Sequence, residues 1–402
     1  MIFSDCFIFG GCEIVLTNLA NSRLINRDFD VTYSYRKFEE YDDEVKRLVG
    51  DEALLSPIRL LSNDTFLYKI SLKKPTFLTN CLKCFLGYIS KSGIYHSINF
   101  FILWYYFRKT NPDIIFINNG GYPGSSLSRL AVFSATFSRI NKILFNVNNL
   151  ALTPKRIWEN KIDILIGKFV YKFITASKAA KSHLSESRGF PLDQIVTIPN
   201  CVQDRRQSKG YPGLKDEFNI KDNEVILGGV GLLTKRKGFA VLLDSLKILA
   251  DKHVETILKV FIIGEGEERS NLQNQINLLG IDKQVKLIGV RGKILNYIND
   301  FDIFILPSIS NEDMPYVVLE AMMLKKPVIA SRVAGTPEEV LHGQTGIIVN
   351  PESPEELADA IQLLAKDKSL RLNYGLRGYE RYDLNFRYEV VMKQYQKFFR
   401  SL

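Results

Sequence analysis

The chain has little of what a secreted or membrane-spanning protein relies on. Its most apolar stretch, FFILWYYF at 100–107, is far short of the roughly 20 residues that a membrane span needs. The start, MIFSDCFIFGG, carries no basic segment and no small-residue cleavage site, so no secretory signal is expected. Cysteine is scarce: five in 402 residues, odd in number and scattered. That excludes a disulfide framework and fits reduced thiols in a cytoplasmic compartment. Cys81 and Cys84 form a lone CxxC with no second pair, and packing on a helix is the expected role. The four histidines (His96, His183, His253 and His342) share no ligand spacing, which argues against zinc. DFD occurs at 28–30 and 300–302 and resembles a metal-binding DxD by letter. Each copy sits just before a strand, at its amino end, and is read as a cap or turn. GGVGLLTKRKG lacks the Walker spacing and the Ser/Thr after its lysine. No catalytic metal and no cofactor is expected.

Positive charge is present in excess, and unevenly. Of the net +9, residues 1–200 carry 25 Lys/Arg against 17 Asp/Glu, whereas residues 201–402 carry 28 against 27. A basic half suits nucleic acid, an anionic membrane surface or an anionic substrate, or is simply a solvated lysine-rich surface. No nucleic-acid-binding motif accompanies the charge, so nucleic acid is not an expected partner. Residues 65–110 mix lysines with aromatics. One reading is a face that meets an anionic membrane surface and a lipid-linked acceptor. The other is a helix with aromatics in the core and lysines in water.

At this length two domains are expected. The second half shows short β-branched runs at 224–233, 256–266, 284–290, 301–308, 326–331 and 346–351, each closed by Gly or Pro. Segments of helical period separate them, which predicts βαβ units in a doubly wound parallel sheet. The first half has the same grammar, with strands at 112–118, 142–149, 172–177 and 194–200 and helices at 12–24, 92–109, 125–139 and 178–188. The polar stretch 202–218 reads as a linker. The expected division is 1–203 and 204–385, with a C-terminal helix over 386–402 returning to the first domain.

NEDMPYVVLEAMM (311–323) places Glu312 in a loop at the carboxyl end of a strand and Glu320 about 8 Å along the helix that follows. Between them a helix start, opened by Met314–Pro315, offers N–H groups to an anion. Carboxylate, amide donors and carboxylate match, in order, the hydroxyls of a sugar, a diphosphate and the hydroxyls of a ribose. The simpler reading makes Glu312 a dipole-favoured carboxylate and Glu320 a surface residue. Against it, Glu320 lies within the apolar run VVLEAMM, where a glutamate is awkward without a partner.

SISNEDMPYVVLEAMMLKKPVIASRVAGTPEEVLHGQTGIIVNP resembles the glutamate–seven–glutamate region of glycosyltransferase family 4, retaining enzymes of the α/β GT-B fold. VGLLTKRKGFAVLLDSL, FIIGEGEE, IPNCV, FIFGGCEIVLTNLAN, INNGGYPGS and FNVNNL resemble its other motifs, and residues 25–110 match weakly. The resemblance implies two Rossmann-like domains facing across a cleft. It implies a hexosyl transfer from a nucleoside diphosphate sugar to a glycan or lipid-linked acceptor, with retention and without metal. It gives Glu312 the donor sugar and Lys237 the leaving diphosphate, with Arg236 and Gly231 beside them. The amides of Tyr316 and Val317, after Met314 and Pro315, would hold the distal phosphate, Glu320 the ribose, and Val290 and Arg291 the base. Gly10 and Gly11 would let the first domain's backbone approach the phosphates. Gly121, Tyr122, Asn148 and Asn149 would face the acceptor.

Two positions depart from that pattern: Leu232 stands where the family usually has arginine, and Asn148 where it often has histidine. The function expected is cell-surface polysaccharide synthesis (O-antigen, capsule or exopolysaccharide). The protein would be cytoplasmic or peripheral on the inner membrane face. The alternative is a degenerate GT-B subunit that binds donor or glycan without turnover.

Overall fold

The computed structural model describes residues 1–6, 9–62, 93–204, 213–252 and 256–402. Cys81, Cys84, His253, most of the basic–aromatic segment and part of the expected linker lie outside them. The chain divides into two compact units. One comprises Met1–Ala176, Ala180–Ile198 and Met392–Leu402, and the other Ser177–Ala179 and Pro199–Val391.

The first unit holds seven parallel strands: β1 (Ile2–Ser4), β2 (Thr32–Arg36), β3 (Leu54–Ile58), β4 (Ile114–Asn119), β5 (Lys142–Val147), β6 (Lys172–Thr175) and β7 (Ile195–Thr197). Their order is β3-β2-β1-β4-β5-β6-β7. β3 was not legible in the sequence because Pro57 interrupts it. The strand lies at the sheet edge, where a missing N–H is tolerated, and Leu54 at its start is exposed. The helices expected in this half are found at Gly11–Ala20, Ile94–Thr110, Ser126–Phe137 and Lys178–Arg188. Asn21 ends the first of these sooner than expected, and a separate short turn follows at Arg23–Asn26. Most of the core is aliphatic, and the rings of Phe3, Phe107, Phe145 and Phe173 are fully enclosed within it.

The second unit holds six parallel strands: β8 (Glu224–Val230), β9 (Ile257–Ile263), β10 (Val285–Gly289), β11 (Ile303–Leu306), β12 (Val328–Ser331) and β13 (Gly346–Val349). Their order is β10-β9-β8-β11-β12-β13. Its core is aliphatic, drawn from Leu227, Val260, Ile262, Ile303 and Ile305 in the sheet and Leu242, Leu246 and Ile361 in the helices. Each such side chain contributes about 1.5–3 kcal/mol by leaving water.

In each sheet the strand order reverses beside the first strand, at β1/β4 and at β8/β11. Adjacent connections there leave in opposite directions and open a crevice at the carboxyl edge. The final helix, Tyr388–Arg400, ends on the first unit. Tyr395 and Phe399 pack against Phe116, Gln396 donates to Asp28 at 2.6 Å, and Arg400 pairs with Asp28 at 2.7 Å. The first DFD begins in a turn, whereas in the second Asp300 ends a helix and accepts the Lys215 N–H at 3.2 Å, and Asp302 accepts the Ile226 N–H at 2.9 Å.

Candidate active site

The crevice at β8/β11 gathers two cations and a carboxylate. After β8 the chain makes a loop and a single 3-10 turn, Lys235–Lys237, before the helix Phe239–Asp251. Gly238 allows this: its φ is +67°, and a Cβ there would lie 1.9 Å from the Pro307 carbonyl oxygen. The turn therefore sits directly against the loop that follows β11. Lys237 reaches the Glu312 Oε2 at 2.6 Å, Arg236 reaches it at 3.0 Å, and the Ser308 hydroxyl donates to it at 3.1 Å. A Cβ on Gly231 would stand 3.4 Å from the Lys237 Cε, so this glycine clears the path of the lysine stem. Lys237 and Glu312 are both buried. Removing one partner of such a pair leaves the other's charge in low dielectric, which is costly. Two cations against one carboxylate leave these three side chains net positive, which suits an anionic ligand.

The helix beside this cluster is Tyr316–Met323, with Pro315 as its N-cap. It therefore starts two residues later than the expected Met314–Pro315 opening. Met314 takes positive φ and turns its side chain into the core, and its carbonyl accepts from Asn200 Nδ2 at 2.8 Å. Only its main chain is thus available to a ligand. The Tyr316 hydroxyl donates to Asn200 Oδ1 at 3.1 Å. Val317 lies in the first turn, and Glu320 follows one turn further on, partly exposed. Burial among apolar neighbours raises the Glu320 carboxyl to about 7. Asp313, next to Glu312, is also raised to about 7 by burial. Glu339 is fully enclosed, neither of its carboxylate oxygens has a hydrogen-bond partner, and burial pushes its pKa well up. Sequence reasoning missed Ser308, Asp313 and Glu339. The run TPEEV, two acids heading into an apolar segment, was the available signal for the last.

Val290 and Arg291 follow β10. Val290 is exposed, and Arg291 pairs with Glu217 at 2.8 Å. Leu232 is exposed too, so the position where arginine was looked for presents an apolar side chain.

The crevice of the first unit is built from amides instead. Asn118 Oδ1, at the end of β4, accepts from Asn146 at 2.9 Å and from Asn148 at 2.8 Å. Asn148 also donates to the Asn119 carbonyl at 2.8 Å. Asn149 and Gly121 are adjacent, at 3.5 Å from the Asn149 Cβ to a Cβ built on the glycine. Tyr122 does not present its side chain as expected of an acceptor contact. It is completely buried, its hydroxyl donates to Asp163 at 2.5 Å, and Arg188 bonds the same carboxylate at 3.0 Å. Gly10 caps the helix Gly11–Ala20 in an extended conformation and donates its N–H to Glu13 Oε2 at 3.0 Å. A Cβ on Gly10 would meet nothing closer than that oxygen, at 3.7 Å, so local geometry alone does not require this glycine. Asp5, after β1, is buried and accepts from the hydroxyls of Ser125 and Ser128. A cavity of about 600 Å³ lies at the opposite, amino edge of this sheet, lined by residues such as Phe29, Thr32, Asn111 and Phe399, and no expected site residue lines it.

Two doubly wound sheets, each with a polar crevice at its switch point, define a GT-B architecture. Residues 212–381 match the family described as glycosyl transferases group 1. That match lies within the second half of the chain. Over 306 residues the chain is 25% identical to the capsular polysaccharide biosynthesis glycosyltransferase CapM of Staphylococcus aureus, covering 73% of this chain and 78% of that one. Over 208 residues it is 31% identical to the N-acetyl-alpha-D-glucosaminyl L-malate synthase of Bacillus anthracis, covering 51% and 53%. Some curated relatives are matched over a smaller part of their length, 23% in one case. HepE of Anabaena, solved with UDP and with UDP-glucose, superposes over 100% of this chain and 99% of its own. The TM-score is 0.75 and the identity 17%, which shows a shared fold. Among the described residues no helix is long and apolar enough to cross a membrane.

Proposed function

We propose that the protein is a retaining glycosyltransferase. It would move a hexose-type sugar from a nucleoside diphosphate sugar to a hydroxyl of a glycan or lipid-linked acceptor in cell-surface polysaccharide synthesis. The observation that carries this reading is the convergence of Lys237 and Arg236 on Glu312 at the β8/β11 crevice, beside the start of helix Tyr316–Met323. A diphosphate there exchanges its water for two cations and helix-end amides, and it displaces part of their bond to Glu312. The freed carboxylate then supports positive charge developing at the anomeric carbon. As the bond from that carbon to phosphate oxygen breaks, the acceptor oxygen bonds on the same face and its proton passes to the leaving phosphate. Lys237 neutralises that phosphate. Glu320 accepts hydrogen bonds from the ribose hydroxyls. None of these steps calls on a metal. The UDP and UDP-glucose held by the Anabaena neighbour support a nucleotide-sugar donor. The capsular relative supports the polysaccharide setting.

The test is transfer from the nucleotide-sugar that most raises the melting temperature, followed by NMR of the product's anomeric centre. Retained configuration is expected, and inversion would overturn the mechanism. The exposed Leu232 favours a second reading, a subunit that binds the donor without turning it over. Binding with no transfer to any glycan or lipid-linked hydroxyl would select it.

A further inference from the structure

We propose that Cys6, Cys12 and Glu13 form a binding site for a thiophilic divalent cation, with Zn²⁺ the natural candidate. Cys6 follows β1, and Cys12 and Glu13 stand in the first turn of the helix Gly11–Ala20. Their two sulfurs and a carboxylate oxygen all lie within 4.8 Å of one another. A tetrahedral zinc with arms of about 2.3 Å to sulfur has ligand–ligand edges of about 3.7 Å, so modest side-chain rotations close the set. Thiolate donors select zinc and its softer relatives over Mg²⁺ or Ca²⁺.

A second observation points the same way. Glu13 is completely buried, and its Oε2 accepts the Cys12 thiol at 2.9 Å and the Gly10 N–H at 3.0 Å, while Oε1 has no partner. Helix capping explains the bond to Gly10 and leaves Oε1 unexplained. An unsatisfied buried oxygen is costly, and a cation at this point supplies what it lacks. Neither cysteine residue is fully buried. Binding releases the two thiol protons and leaves the +2 ion among three anionic donors. The net negative complex then sits at a helix N-terminus, whose N–H groups favour that sign. Three protein ligands leave the fourth tetrahedral position to water.

The experiment is a titration of the full-length chain with Co²⁺ under reductant, followed by displacement with Zn²⁺. One equivalent should produce a thiolate-to-cobalt charge-transfer band that zinc abolishes, and Zn²⁺ alone should raise the melting temperature. Cys6→Ser and Cys12→Ser should each weaken binding at least about 100-fold, since even outer partners of a metal site are worth 10–100-fold. The Cys81→Ser/Cys84→Ser double variant should behave as the natural chain. If Cys12→Ser does not fold, Cys6→Ser alone decides. A chain that gives no band overturns the proposal. So does a band that survives both single variants, or one lost only with Cys81 and Cys84.

Discussion

The carboxyl edges of the two sheets are built from different chemistry. At β8/β11 full charges meet: Lys237, Arg236 and Glu312 share one oxygen, with Asp313 and Glu339 buried nearby. At β1/β4 an amide network of Asn118, Asn146 and Asn148 stands beside two buried carboxyl groups, the hydroxyl-bonded Asp5 and Glu13. Charges suit a diphosphate, whose own charge repays their desolvation. Amides donate and accept at once, which suits hydroxyl-rich ligands that carry no charge. The difference teaches that a donor site can be recognised by its ions, whereas an acceptor site built from amides leaves a weaker trace in the sequence.

The comparison breaks most easily at the charged edge. Lys237→Ala should lower turnover at saturating donor by about 100-fold or more, the usual cost of removing a donor aimed at developing negative charge. A normal rate at saturation would remove Lys237 from the chemistry. Glu320 offers a subtler probe. Hydroxyls that donate to it favour the ionised form, and its folded pKa is about 7. Nucleotide affinity should therefore rise between pH 6 and pH 8 and flatten above, with proton release measurable by calorimetry in buffers of different ionisation enthalpy. Glu320→Gln should reduce that slope, and an unchanged slope would remove Glu320 as its source. The same raised pKa means that ionising Glu320 opposes folding. Its contribution to stability is present below about 4.5 and is lost as the pH rises through about 7.

The amide-built edge predicts smaller effects. Tyr122→Phe should cost about 1–3 kcal/mol of stability, read as a lower melting temperature, because Asp163 loses a buried donor. Nucleotide affinity should not change; a variant of natural stability with altered acceptor use would restore Tyr122 to the acceptor surface. Leu232→Arg should have the least effect. An exposed cation at that position adds about 0.2–1 kcal/mol, a tightening of donor binding of a few fold. A gain of 100-fold would mean that the site is much more enclosed than Leu232 indicates.

The same contrast explains what was legible in the sequence. β8 to β13 could be read because each is a β-branched run closed by Gly or Pro. Glu320 stood out because a glutamate in an apolar run needs a reason, and Glu312 because it precedes a helix start at the carboxyl end of a strand; Lys237 was legible only through the family resemblance. β3 was hidden by its edge position and its proline. Tyr122 was assigned to the acceptor side only by the resemblance, and its ring is held inside by Asp163 and Arg188, which are distant in sequence. The Cys6–Cys12–Glu13 group went unnoticed for a similar reason: Cys6 comes close to Cys12 and Glu13 only in the folded chain.

The most direct test of the account is calorimetric titration of UDP, GDP and ADP into the folded chain and into Glu320→Ala. The account predicts saturable binding of one nucleotide per chain, weakened about tenfold or more in the variant by loss of a charged hydrogen-bond acceptor. A folded protein that binds none of the three, or binds one of them equally well without Glu320, would contradict it.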